Sequence, residues 1–102
     1  MTVTELKARI DSGTAPVIVD VREPWEAAIC GIPGARLIPL GELPGRLGEL
    51  DPSAEIVMQC KSGRRSAQAV AMLRDRGFTG AVNLTGGILQ WISEIDPSLP
   101  RY

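Results

Sequence analysis

The chain contains no histidine among its 102 residues. A Ser-His-Asp triad, a Cys-His dyad and any imidazole-ligated metal are therefore excluded within it. Cysteine is scarce as well, with only Cys30 and Cys60. Two thiols at that spacing make no zinc site and are too few to build a disulfide scaffold. Free thiols in a reducing compartment are the expectation, with a Cys30–Cys60 bridge as the alternative. No apolar run approaches the roughly 18 residues of a membrane span. The opening MTVTELKARI mixes charged and apolar residues, unlike a signal peptide. A net charge of −1 gives no general attraction for nucleic acid or an anionic membrane. The reading is a soluble cytoplasmic protein, monomeric by default, with neither of those partners.

What is present suits one globular domain over residues 1–102. The length lies near the usual domain size of roughly 100–150 residues. With 44% hydrophobic and 23% charged residues, it can close a core without a metal or disulfide. Thr2 and Glu5 fit a capping box, Val3, Leu6 and Ile10 follow at helical spacing, and Gly13 offers a stop. β-Branched runs predict strands at 17–21, 36–38, 55–59 and 81–84. Helices are expected at 43–50, weakened by Gly45 and Gly48, at 64–76, with Ser66, Val70, Leu73 and Gly77 on one face, and at 87–94. The prolines of the tail, Pro97 and Pro100, predict an extended surface segment. Strands alternating with helices imply right-handed crossovers, hence an α/β fold with a mostly parallel sheet of four to five strands and helices on both faces. Ligands of such sheets bind beyond the carboxyl ends of the strands, where Asp20, Arg22 and Cys60 fall.

The segment Cys60-Lys61-Ser62-Gly63-Arg64-Arg65-Ser66 carries the chemistry. A strand delivers a cysteine to a short loop and a helix starts at once, so unpaired N–H groups and the positive end of the helix dipole meet there. Three of the 11 basic residues lie in this segment and none of the 12 acidic ones. These effects favour thiolate over thiol. Gly63 lets the loop curl so that N–H groups converge on the sulfur, and Ser62 and Ser66 add hydroxyls. Such a cradle suits a sulfur anion and equally a phosphate.

This segment resembles the active-site loop of rhodanese-like sulfurtransferase domains. Asp20-Val21-Arg22-Glu23 with Glu26, then Ile32-Pro33-Gly34-Ala35 with Ile38-Pro39, and finally Gly86-Gly87-Ile88 with Trp91, look like the family's other signatures in order. The ending from Trp91 through Asp96-Pro97-Ser98-Leu99-Pro100 to Tyr102 is similar to the C-terminal rhodanese domain of adenylyltransferase/sulfurtransferases that serve ubiquitin-like sulfur carriers in molybdopterin or thiamine synthesis. Two departures stand out. The family often has Gly-His where this chain has Cys30-Gly31, a histidine that is not the nucleophile. The fused proteins carry an adenylating domain that these 102 residues lack, so the chain is expected to be free-standing or a domain of a longer protein.

The resemblance implies ping-pong sulfur transfer. Cys60 takes sulfane sulfur from thiosulfate or a desulfurase persulfide, holds it as a persulfide on the N–H groups of residues 61–65, and passes it to cyanide or a ubiquitin-like sulfur carrier. An adenylating enzyme is a further implied partner; no cofactor or metal is. Lys61, Arg64 and Arg65 are expected to stabilise the thiolate and attract an anionic donor, with Ser62, Gly63 and Ser66 completing the binding loop. Asp20, Arg22 and Glu26 are read as structural, with Asp20 accepting loop N–H bonds and Arg22 pairing with Glu23 or Glu26. Trp25, Trp91 and Cys30 are read as packing residues, Cys30 without cationic neighbours, and Gly86-Gly87 as a tight strand-to-helix turn. Two other readings stay open. A cysteine phosphatase needs Cys-x5-Arg, but position 66 is serine. An interaction module would use the basic loop for docking alone.

Overall fold

A computed structural model describes all 102 residues. Four strands, β1 (Val17–Asp20), β2 (Arg36–Leu37), β3 (Ile56–Gln59) and β4 (Ala81–Asn83), form one sheet in the order β2-β1-β3-β4. Every pairing is parallel, with Val17 opposite Ile56 and Asp20 opposite Gln59 in the central pair. The helices are α1 (Val3–Asp11), α2 (Pro24–Ala27), α3 (Arg64–Asp75) and α4 (Gly87–Glu94). No helix is long and apolar enough to cross a membrane.

The central strands are buried on both faces, so successive residues feed two separate cores. Val19, Ile56, Met58 and Cys60 join Leu43, Ala69 and Leu73 on the α3 side. Ile18, Val57 and Leu84 join Val3, Leu6, Ile88, Trp91 and Ile92 on the side of α1 and α4. Helices therefore cover both faces, as the alternation of elements implied. At α1 the capping box forms as expected: the Glu5 N–H donates to Thr2 Oγ1 at 3.1 Å, and the Thr2 N–H donates back to Glu5 Oε1 at 3.4 Å.

Three segments depart from expectation. Residues Leu43–Glu49 form a 3₁₀ helix kinked at Arg46 rather than an α-helix; Gly45 and Gly48 lower the helix propensity of so short a segment. The short α2 had no periodic signal, being four residues long; its own capping box joins Glu23 and Glu26 behind Pro24. The tail lies on the surface, with Pro97, Ser98, Pro100 and Arg101 exposed, but it is not extended throughout. It turns at Pro97–Leu99, and Leu99 and Tyr102 pack against the core on the α1 and α4 side.

Candidate active site

β3 ends at Gln59 and delivers Cys60, 1% exposed, to the carboxyl edge of the sheet. Gly63 is the N-cap of α3 at φ 103°, a left-handed conformation that glycine adopts without strain. That turn aims the Gly63 N–H at Cys60 Sγ, 3.1 Å away. The first turn of α3 adds the Ser66 N–H at 3.4 Å and brings Ser66 Oγ to 3.2 Å from the sulfur. Burial is the strongest single influence on the Cys60 thiol and pushes it up. The Ser66 hydroxyl and the N–H groups of Ser66, Gly63 and Ser62 together outweigh it, so the thiol is held below its ordinary value.

The carbonyls of the same loop point elsewhere. Cys60 O accepts from the Ile88 N–H at 2.9 Å and Lys61 O from the Leu89 N–H at 3.2 Å, both in the first turn of α4. Those N–H groups have no partner within their own helix. The approach requires Gly87, at φ 60°, where a Cβ would sit 2.5 Å from Lys61 O and 2.6 Å from Cys60 O. Because a trans peptide sets N–H and C=O on opposite sides, anchoring these carbonyls to α4 turns the following N–H groups away from it. The expected tight turn at Gly86-Gly87 is present, and it also anchors the cysteine loop.

A second layer braces the first. Ser66 Oγ donates to Asn83 Oδ1 at 2.6 Å, and Asn83 Nδ2 donates to the Gly63 carbonyl at 3.1 Å. Arg65 makes a two-pronged pair with the buried Glu26 at 2.7 and 2.8 Å. The Tyr102 hydroxyl donates to Glu26 at 2.9 Å and accepts from Arg22 Nη1 at 3.0 Å. Arg22, fully buried, closes the chain on Asp20 through Nε at 2.9 Å and Nη2 at 2.7 Å. Above the Tyr102 ring lies Lys61 Nζ, 4.5 Å from its centre. Trp25 meets the same ring edge-on at 5.9 Å.

Cys60 to Ser66, Asp20, Arg22 and Glu26 thus come together around the adjacent ends of β1 and β3, but several partners differ from those expected. Arg65 is spent on Glu26, so its charge reaches the sulfur only secondarily. Lys61 and Arg64 are the loop cations without a carboxylate. On the resting thiol the closest N–H groups are those of Gly63 and Ser66, with that of Ser62 acting more weakly. Arg22 pairs with Asp20 and reaches Glu26 only at its backbone carbonyl, because alternate positions of an extended strand end share a face. Asp20 does accept a loop N–H, that of Arg22, at 3.0 Å. Trp25 is 63% exposed rather than packed, whereas Trp91 is buried. Cys30 is buried in the core beside α4, yet Arg22 Nη1 stands 4.0 Å from its sulfur and Nη2 donates to its carbonyl. Sequence reasoning missed Asn83 and Tyr102. A polar residue closing a strand of apolar ones was the available signal for Asn83.

The fold's one cavity, about 380 Å³, is lined by Thr2, Val3, Thr4, Thr85, Gln90 and Glu94, none of them in the cysteine loop. A family profile described as rhodanese-like domain matches residues 2–94. The chain is 38% identical over its whole length to the probable adenylyltransferase/sulfurtransferase MoeZ of Mycobacterium tuberculosis, but it spans only 26% of that protein. Similarity to the putative sulfurtransferase YtwF of Bacillus subtilis is 37% identity over 90% of this chain and 88% of that one. The human single-domain sulfurtransferase TSTD1 superposes with a TM-score of 0.82 at 32% identity, covering 92% of this chain and 95% of that chain. With its signatures, its parallel sheet and its cysteine loop in this arrangement, the chain belongs to the rhodanese-like domain family.

Proposed function

We propose that the chain is a sulfurtransferase that carries sulfane sulfur on Cys60. The observation behind this reading is the buried Cys60 sulfur, held by two N–H groups and a hydroxyl within 3.4 Å. Donors so arranged favour an anionic sulfur with no general base, which suits a chain without histidine. With thiosulfate, the Cys60 thiolate attacks the outer sulfur, a new S–S bond forms, and sulfite leaves with the electron pair of the broken bond. The outer sulfur of the resulting persulfide is then attacked by an acceptor, and Cys60 departs as thiolate. With cyanide the product is thiocyanate.

Lys61 and Arg64 draw in an anionic donor, Ser62, Gly63 and Ser66 line the cradle, and Arg65 fixes the loop to Glu26. Asp20 and Arg22 support that anchor. The pairing of Arg65 with Glu26 also weighs against phosphate chemistry, which needs an arginine turned into the loop. The names of MoeZ and YtwF point to sulfur transfer in relatives. By extension, a desulfurase persulfide is the donor in the cell, and a ubiquitin-like sulfur carrier with its adenylating enzyme are the partners, in the cytoplasm.

The test is the intact mass of reduced protein after thiosulfate and then after cyanide, beside Cys60→Ser. The expected result is a gain of one sulfur atom, removed by cyanide and absent from the variant. No gain on reduced Cys60 from thiosulfate or a persulfide donor would overturn the reading and leave an interaction module.

A further inference from the structure

Ser66 has one hydroxyl proton and two neighbours that compete for it. Asn83 Oδ1 lies 2.6 Å from Ser66 Oγ, and Cys60 Sγ lies 3.2 Å from it. The orientation of the Asn83 amide follows from its other contact. Its Nδ2 faces the Gly63 carbonyl at 3.1 Å, and a carbonyl only accepts. Oδ1 therefore faces Ser66 and takes the hydroxyl proton. In the neutral site the sulfur can meet Ser66 only as an S–H donor, giving the chain Cys60 S–H to Ser66 O–H to Asn83 Oδ1. When the thiol proton leaves to water, the sulfur has no hydrogen of its own. Ser66 supplies a hydrogen to the sulfur only by turning its hydroxyl onto it, and Asn83 Oδ1 then loses that donor.

We infer that Asn83 sets the acid–base balance of Cys60 by competing for the Ser66 proton, which makes it a positioning residue acting through Ser66. Its part in turnover rests on the sulfur-transfer reading, whereas the proton count does not. The same count applies to the persulfide, whose inner sulfur also carries no hydrogen. Asn83 thus favours the resting thiol over both later states, and its second bond, to Gly63, holds the N–H donor in place for them. The charged groups around the sulfur are Arg64 and Arg65 of α3, Glu26 of α2 bound to Arg65, and Lys61 of the loop, with the Tyr102 phenol on Glu26. On the far side the Met1 ammonium donates to the Asn83 backbone carbonyl at 2.9 Å, a contact that side-chain changes at Asn83 leave in place. None of them touches the Asn83 or Ser66 side chain through a hydrogen bond, so they stay constant when those two are changed.

The test is a pH titration of thiolate absorbance on the full chain, with Cys60→Ser as the blank. The proteins compared are wild type, Asn83→Ala, Ser66→Ala and the double variant. With Ser66 present, Asn83→Ala is expected to move the midpoint to lower pH, raising the thiolate-to-thiol ratio at fixed pH about threefold, the worth of one neutral hydrogen bond. In the Ser66→Ala background that move disappears. A role confined to bracing Gly63 would act equally in both backgrounds, and equal shifts would overturn the inference. Should Asn83→Ala fail to fold, Asn83→Asp serves instead. Its anionic acceptor grips the hydroxyl proton harder, so the midpoint rises more with Ser66 than without it, and an equal rise overturns the inference. A protein that gains sulfur from thiosulfate yet shows no coupling would remove this inference alone. One that shows the coupling yet gains no sulfur would remove only the transferase reading.

Discussion

At Glu26 four donors meet one carboxylate: both Arg65 Nη atoms, the Glu23 N–H and the Tyr102 hydroxyl. The Arg65 bonds dominate and, against the effect of burial, bring the Glu26 carboxyl from 4.5 down to about 2. A carboxyl depressed on folding adds stability that is complete above its unfolded value and lost as pH falls through its folded one. The window here runs from about 4.5 down to about 2. Its size is about 2–3 kcal/mol, allowing for solvent around the partly exposed Arg65. Glu26→Gln is expected to lose that amount at neutral pH and to flatten the acid limb within the window. Urea midpoints measured across pH check this, and an unchanged slope would show that the pair does not titrate with folding. Tyr102→Phe keeps the ring beneath Lys61 but removes the hydroxyl between Arg22 and Glu26, with an expected cost of about 1 kcal/mol.

Among the elements, the start of α4 does the most to shape the loop it touches. Gly87→Ala meets two penalties, a left-handed backbone and a Cβ within 2.6 Å of two carbonyls. At Gly63 a Cβ would make ordinary van der Waals contacts, the nearest atoms being 3.6 Å away, and only the backbone penalty applies. The expected costs are about 1–2 kcal/mol for Gly63→Ala and about 2–5 kcal/mol for Gly87→Ala. Denaturant midpoints rank the two, and equal losses would mean that α4 simply backs away. Elements of this kind differ in how plainly the sequence announces them. Runs such as Val17-Ile18-Val19 and Ile56-Val57-Met58 announce buried strands because both of their faces are apolar. A four-residue helix such as α2 has no period to detect, and prolines in the tail say only that it is not helical. Cys60 with its glycine and serines was legible because the loop is contiguous. The roles of Asn83 and Tyr102 and the pairing of Glu26 with Arg65 were not, since Glu26 stands 39 positions from Arg65, Tyr102 76 from Glu26, and Asn83 17 from Ser66. Residue type alone carries no information on such pairings.

Across the whole molecule, the sheet separates the two thiols. Cys60 belongs to the core on the α3 side and Cys30 to the core beside α1 and α4; both are free. The Cys30–Cys60 bridge left open by the sequence is absent, and forming it would take the two thiols out of separate cores. Under mild oxidant, the folded protein is expected to keep both hydrogens that an internal disulfide would remove, whereas the same treatment in urea removes them. Intact mass distinguishes the two, and rapid bridging in the native state would show that the cores communicate. The hydrogen bonds from α4 to the loop carry one more consequence, for the order of events during synthesis. Cys60 emerges from the ribosome well before Asn83, Ile88, Leu89 and Tyr102, yet its surroundings depend on all four. A nascent chain that has exposed the cysteine but not β4 and α4 therefore presents the sulfur with an unbraced loop. The sulfur acquires its full set of surrounding contacts only once β4 and α4 close over the loop, so the order of translation itself delays the completed environment of Cys60.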